Sequence, residues 1–105
     1  MQTYPNTEYK KFAEIIHDSL KYGIGDNFPR LKSILFLMKN NDDLTKLILA
    51  YGFRYNYLYG LPYGKKQNLL NNLRLQLRDK ANGYYSKELN EIRKDWETKK
   101  IKYRI

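Results

Sequence analysis

A row of amide and guanidinium side chains recurs at helical spacing in KKQNLLNNLRLQLRDK, residues 65 to 80. If this stretch is a helix whose leucines face a core, its opposite side presents Gln67, Asn71, Arg74 and Arg78. Amide side chains pair with the edge of adenine and guanidinium groups with guanine, so the row predicts base recognition in a major groove. The same residue types are common on any solvated helix, and that interpretation stays open.

Lysines on both sides of this row would supply phosphate contacts. Lys65 and Lys66 stand at the expected start of the helix, where the backbone amides also attract a phosphate. Leu75 is expected at the edge of the row and facing solvent, where it suits a thymine methyl group or a protein partner. The C-terminal segment adds four predicted phosphate contacts: Lys94, Lys99, Lys100 and Lys102.

Aromatic residues occupy every second position over most of AYGFRYNYLYG, residues 50 to 60. Phe53 and Tyr57 flank Arg54 and are expected on a face away from the apolar stripe of this segment. Two exposed rings beside a guanidinium group are suited to stack on unpaired bases. They would equally anchor a protein partner, and packing against another helix of the same chain is the third interpretation.

Catalytic and metal chemistry find little support in the sequence. There is no cysteine, and His17 is the only histidine. Its neighbour Asp18 would point away from it on a helix, and no pair of histidines has the spacing of a zinc site. Glu14 and Asp18 are four residues apart, but surface acids often have that spacing. We expect no enzyme, no metal ion and no cofactor.

The elements that must position these residues are predicted from hydrophobic spacing. The spacing indicates an all-α fold, a small bundle of four to five short helices in a single domain spanning residues 1–105. The predicted helices run from Asn6 to Gly23, from Asp26 to Met38, from Asn41 to Tyr59, from about Lys65 to Ala81, and from an N-cap at Ser86 onward.

Two of these predictions have alternatives. Apolar residues at three- and four-residue steps favour one helix from Leu44 through Tyr59, although Gly52 inside it costs about 1 kcal/mol relative to alanine. A short hairpin across Arg54-Tyr55-Asn56 is the alternative. The fifth helix has a narrow apolar stripe, so residues 98–105 are expected to be a frayed basic tail or to be ordered only by a partner.

The net charge of +9 is concentrated in residues 65–105, which contribute +7 of it. Such a basic half favours a polyanionic partner, DNA or RNA, although lysine-rich helices also keep proteins soluble. The longest apolar stretch, residues 34–38, is far shorter than the roughly 20 residues that span a bilayer. We therefore expect a cytoplasmic protein with no membrane partner.

The sequence thus predicts a small basic nucleic-acid-binding protein that contacts the phosphate backbone through its C-terminal half. The alternative is a protein-binding regulator or inhibitor from a phage or mobile element, docking on a larger nucleic-acid-handling protein. The excess of Lys, Asn, Ile and Tyr over Ala and Val, typical of AT-rich genomes, and the aromatic content of 15% support this alternative. A homodimer would account for exposed apolar residues in either case.

Overall fold

The computed structural model describes residues 1–21, 27–58, 61–79 and 86–105. Within them, three helices precede a β-hairpin, and two helices follow it. The elements are α1 Asn6–Lys21, α2 Phe28–Leu37, α3 Asn41–Tyr51, β1 Arg54–Leu58, β2 Leu61–Gln67, α4 Leu69–Arg74 with a π-helical turn Leu75–Asp79, and α5 Ser86–Thr98. The fold is mostly helical but not all-α, which corrects the predicted class. No helix within these ranges has the length and apolar character needed to cross a membrane.

Apolar faces of the helices meet in one core, largely where the sequence predicted them. The apolar face of α2 is buried, and its residues, which recur at helical spacing in the sequence, are Phe28, Leu31, Ile34, Leu35 and Met38. Three leucines of the fourth predicted helix, Leu69, Leu73 and Leu77, are fully buried, and Leu70 is half-buried. The inward leucine pattern of this helix is therefore confirmed.

The prediction of one helix from Leu44 to Tyr59 is wrong, and a hairpin forms instead. The helix α3 ends at Tyr51, and Gly52 follows it with φ of 64° and ψ of −138°. Residues with a side chain rarely adopt this conformation, so glycine lets the chain leave the helix and enter β1 within two residues. Tyr59 lies outside the described residues.

The two strands are antiparallel and carry a large bulge. Arg54 pairs with Gln67 and Asn56 with Tyr63. A single residue of β1, Tyr55, is therefore opposite the three residues 64–66 of β2. Extra residues bend a strand and turn its side chains away from the regular ladder, and both lysines of the bulge are exposed.

The fourth helix begins later than predicted. Asn68 is its N-cap, and the Asn68 side chain accepts a hydrogen bond from the Asn71 backbone N–H at 3.0 Å. Lys65 and Lys66 belong to β2. The expectation that these lysines stand at a helix N-terminus with its free amides is therefore wrong. The predicted end near Ala81 lies outside the described residues.

The C-terminal segment is packed rather than frayed. After α5, Lys100 adopts a left-handed conformation with φ of 59°. The chain then folds back, so that the Ile101 backbone N–H donates to the Trp96 carbonyl oxygen at 2.9 Å. Ile101 and Ile105 are buried in the core. Burial of these two side chains, which the narrow stripe of the helix did not reveal, orders residues 99–105.

Candidate nucleic-acid interface

The inward side of β1 is polar. Asn56 is only 4% exposed, and its side-chain oxygen accepts a hydrogen bond from the Gln76 amide at 3.0 Å. The Asn72 amide donates to the Tyr51 hydroxyl at 2.8 Å and to the Arg54 carbonyl oxygen at 3.2 Å. Amide hydrogen bonds thus join the described side chains of this strand to the helix that follows the hairpin.

Aromatic residues alternate with these polar positions and lie toward solvent. Phe53 is 71% exposed and Tyr55 is 39% exposed, while Tyr57 is half-buried. The three rings share a surface hollow of about 370 Å³. The described residues that line this hollow, hereafter the hairpin hollow, are His17, Phe53, Arg54, Tyr55, Tyr57 and Lys66. The exposure of Phe53 agrees with the prediction for that residue.

Two cationic side chains at the hairpin hollow differ in how far they are able to move. The Lys66 ammonium lies 5.5 Å from the centre of the Tyr55 ring and is exposed. The Arg54 guanidinium is held by the Glu14 carboxylate at 2.8 Å and donates through Nε to the Tyr51 carbonyl oxygen at 2.8 Å. Lys66 is therefore able to move toward a phosphate, whereas Arg54 is fixed and largely balanced by an acid.

His17 forms the wall of the hollow on the α1 side. Its ring meets the Tyr57 ring edge to face, with centres 5.5 Å apart. Burial lowers the pKa of His17, and the positive charge of Arg54 lowers it further. The hydrogen bond from Arg54 also lowers the pKa of Glu14. At neutral pH the hollow therefore holds a neutral imidazole beside an ion pair.

The predicted base-reading row is not assembled on one helix face. Gln67 lies in β2, whereas Asn71 and Arg74 lie in α4. Arg74 donates to the Asn71 side-chain oxygen at 2.6 Å and to the Arg104 carbonyl oxygen at 3.0 Å. The side chain of Arg78 is outside the described part of the chain. A continuous row of four is therefore wrong, and a binding role for the single residues stays a prediction.

The predicted phosphate contacts divide into one structural lysine and several exposed ones. The Lys99 ammonium donates to the Phe36 and Met38 carbonyl oxygens at 2.7 and 2.9 Å, and to the Asp95 carboxylate at 2.8 Å. Lys99 thus satisfies the C-terminal carbonyls of α2, as cations commonly do, and is corrected from ligand contact to helix cap. The exposed lysines of the predicted set are Lys65, Lys66, Lys94, Lys100 and Lys102.

Leu75 was expected on the solvent side of a regular helix. It is instead the first residue of the π-helical turn and is half-buried. Neither Tyr55 nor His17 was predicted as a site residue. The alternation of aromatic residues was the one available signal for Tyr55, since it places Phe53, Tyr55 and Tyr57 on one side of a strand.

Comparison with known proteins does not add to this geometry: no family model matches the chain, and no curated protein or solved structure shows significant similarity to it. Among the residues that the structure describes, no group of three or more histidine or acidic side chains is arranged to hold a metal ion. The hairpin hollow and the lysines around it are therefore the candidate site of this protein.

Proposed function

We propose that this protein binds unpaired nucleic acid at the hairpin hollow, with bases stacked on Phe53 and Tyr55 and phosphates bound by Lys65 and Lys66. The observation that carries the proposal is the reversed polarity of β1. Burying apolar surface is favourable by about 25 cal/mol per Å², yet here the Asn56 amide is 4% exposed, whereas Phe53 and Tyr55 are 71% and 39% exposed. Exposed apolar groups combined with buried polar ones are informative about function.

The spacing of the rings favours a single strand over a duplex. Alternate side chains on one face of a strand are about 7 Å apart. Stacked bases in a duplex advance about 3.4 Å per nucleotide. Neighbouring rings of β1 would therefore take neighbouring bases only if those bases are unstacked, as in single-stranded DNA or RNA, a loop or an end. Each stacked base contributes about 1–3 kcal/mol.

The bulge supplies charge beside the rings. Lys65 and Lys66 are adjacent in sequence and both exposed, and Lys66 is already close to Tyr55. Phosphates flanking a base stacked on Tyr55 would lie within reach of these flexible side chains. Lys94, Lys100 and Lys102 remain proposed phosphate contacts outside the hollow. Binding through these charges is expected to weaken steeply as the salt concentration rises.

The test is fluorescence anisotropy with a labelled oligothymidylate, a labelled oligouridylate and a labelled duplex at about 50 mM and about 200 mM salt. We expect the single strands to bind more tightly than the duplex. Phe53→Ala should weaken binding roughly 5- to 100-fold, from the energy of one stacked base. Leu49→Ala is the matched control, because Leu49 is 69% exposed on α3 and outside the hollow.

Two results would contradict the proposal. One is the absence of binding to either single strand at micromolar protein. The other is an equal effect of Phe53→Ala and Leu49→Ala. A further pair of variants separates the charge contribution: Lys65→Gln/Lys66→Gln should flatten the salt dependence, whereas the exposed pair Lys10→Gln/Lys11→Gln on α1 should change it less.

A protein partner is the second candidate, and Leu61 is the observation that favours it. Leu61 is 71% exposed at the start of β2 and does not line the hollow. Apolar side chains of this size anchor protein interfaces when a partner covers them. A regulator of a nucleic-acid-handling protein would retain its partner after nuclease treatment and lose it with Leu61→Ser. Loss of the partner on nuclease treatment alone would favour the first candidate.

A further inference from the structure

We infer that His17 makes phosphate binding at the hairpin hollow dependent on pH, because its protonation adds a cation to the wall of the site. The inference rests on the proposed function, since it concerns the same hollow and its polyanionic ligand. It assigns a regulatory role to a residue that neither stacks on a base nor belongs to the exposed lysines.

The position of His17 supports this role. The imidazole lines the hollow together with Lys66, and its edge-to-face contact with Tyr57 holds the ring in place. His17 is half-buried, so its nitrogens are neither fully hydrated nor sealed in the core. A phosphate beside a base on Tyr55 would therefore lie close to both the imidazole and the Lys66 ammonium.

The charges that face His17 come from three elements. Within the described residues they are Glu14, Asp18 and Lys21 of α1, Arg54 of β1, and Lys66 of β2. Tyr57 is the remaining titratable group in contact. Glu14 is engaged with Arg54, and the Lys21 ammonium lies 5.4 Å from the Tyr57 ring. Glu14 and Asp18 both favour the imidazolium, Glu14 more strongly, and a bound phosphate would add a further negative charge.

The direction of the pH effect follows from these neighbours. Burial first, and then Arg54, hold the pKa of His17 below its ordinary value of 6.5. The free protein thus has a neutral imidazole at neutral pH. A phosphate favours the imidazolium and raises the pKa, and by linkage the protonated protein binds phosphate more tightly by the same factor. Affinity should therefore increase as the pH falls through the pKa of His17.

The composition of the chain makes this effect easy to isolate. His17 is the only histidine and there is no cysteine. A change in binding between about pH 8 and about pH 5.5 that disappears with His17→Gln therefore reports on the imidazole.

The experiment measures binding of labelled oligothymidylate at constant ionic strength across that pH range. One added charge at contact distance predicts roughly three- to tenfold tighter binding by the wild type at the acidic end. His17→Gln should show an almost constant Kd, and His17→Arg should bind tightly at every pH. In parallel, NMR titration of the His17 ring in the wild-type protein should show a higher pKa with the oligonucleotide than without it.

The outcomes separate this inference from the proposed function. If no oligonucleotide binds at any pH, both fail. If binding depends on Phe53 and Lys66 but the wild type and His17→Gln respond equally to pH, the proposed function stands and the role of His17 is wrong. An unchanged His17 pKa in the presence of saturating oligonucleotide leads to the same conclusion without relying on the folding of any variant.

Discussion

Asp43 is a buried carboxylate that ties the N-terminal segment to the helices, and its replacement offers a sharp test of the fold. One carboxylate oxygen accepts from the Thr3 backbone N–H at 2.6 Å and from the Tyr9 hydroxyl at 2.7 Å. The other accepts from the Thr3 hydroxyl at 2.7 Å and from the Lys39 backbone N–H at 2.8 Å. Asp43 itself is completely buried.

Asp43→Asn should be strongly destabilising although it preserves shape. An amide group has one accepting oxygen and one donating nitrogen, so two of the four donors lose their acceptor in either orientation. In each orientation, one hydroxyl and one backbone N–H lose their acceptor. The hydroxyl is able to rotate toward another acceptor, whereas the backbone N–H is not. Hydrogen bonds to a charged group contribute about 1.5–3 kcal/mol each. We therefore expect a loss of about 3–5 kcal/mol, out of the roughly 5–15 kcal/mol typical of a folded domain.

The measurement is urea unfolding at neutral pH, followed by the fluorescence of Trp96, which is the only tryptophan and is 1% exposed. The control is Asp42→Asn. Asp42 is the adjacent acid, its side chain is 59% exposed, and it pairs with the terminal amine. A surface pair of this kind contributes about 0–1 kcal/mol. Losses of similar size for the two variants would refute the reasoning.

Three further predictions follow from single contacts. Burial raises the pKa of Asp43, but the hydrogen bonds to its carboxylate lower the pKa more. The contribution of Asp43 to the stability of the fold is therefore fully present above the unfolded pKa of about 3.9. It is lost as the pH falls through the lower pKa of the folded state. Acid unfolding of the wild type should thus be steeper than that of Asp43→Asn. Lys99→Gln should cost about 1–2 kcal/mol in urea unfolding because it uncaps α2, whereas the exposed Lys94→Gln should cost almost nothing. Gly52→Ala should cost about 1–3 kcal/mol from its positive φ alone, since the nearest atom to an added Cβ is the Leu49 carbonyl oxygen at 4.0 Å; a neutral result by thermal melting would contradict this.

Hydrophobic periodicity was sufficient to predict the helices whose inner faces are continuous. The leucines of α4 and the apolar face of α2 are buried as their spacing indicated. The start of α5 at Ser86 was also correct. These features depend on the spacing of apolar residues within a few turns of one helix, which can be read directly from the sequence. The cap of α3 at Asn40 lay within one residue of the predicted start, whereas the cap of α4 at Asn68 lay three residues after it.

The hairpin was only the alternative prediction, placed across Arg54-Tyr55-Asn56, because the polarity of its first strand is the reverse of the usual strand. A strand with one buried face ordinarily alternates apolar residues inward and polar residues outward. In β1 the inward residue is Asn56, and its partner Gln76 is twenty residues away in the π-helical turn. The aromatic residues between Tyr51 and Tyr59 also fit a helical stripe. Only the tertiary amide contacts decide between the two patterns.

The uses of the basic residues were likewise hidden, because they depend on contacts between distant elements. Lys99 caps α2 and Arg74 holds the Arg104 carbonyl oxygen. Arg93 donates to the Ile105 oxygen at 2.8 Å, and Arg104 donates to the carbonyl of Ile101. These side chains are already committed within the fold, so the charge of +7 in the C-terminal part overstates the number of cations that would release counterions.

Because these basic side chains already hold hydrogen bonds within the fold, we expect the binding site at the hairpin and not on the fourth helix. Arg74 would have to leave its bonds to Asn71 and Arg104 before it reached a base, and that exchange cancels part of any gain. Lys65 and Lys66 face no such competition from a carboxylate among the described residues. Exposed rings beside lysines without an ion pair would bind a nucleic acid with less rearrangement of the protein. The affinity depends on the interaction energy that remains after the cost of such rearrangement. The salt dependence of binding should therefore follow the two bulge lysines more closely than the guanidinium groups of the helix.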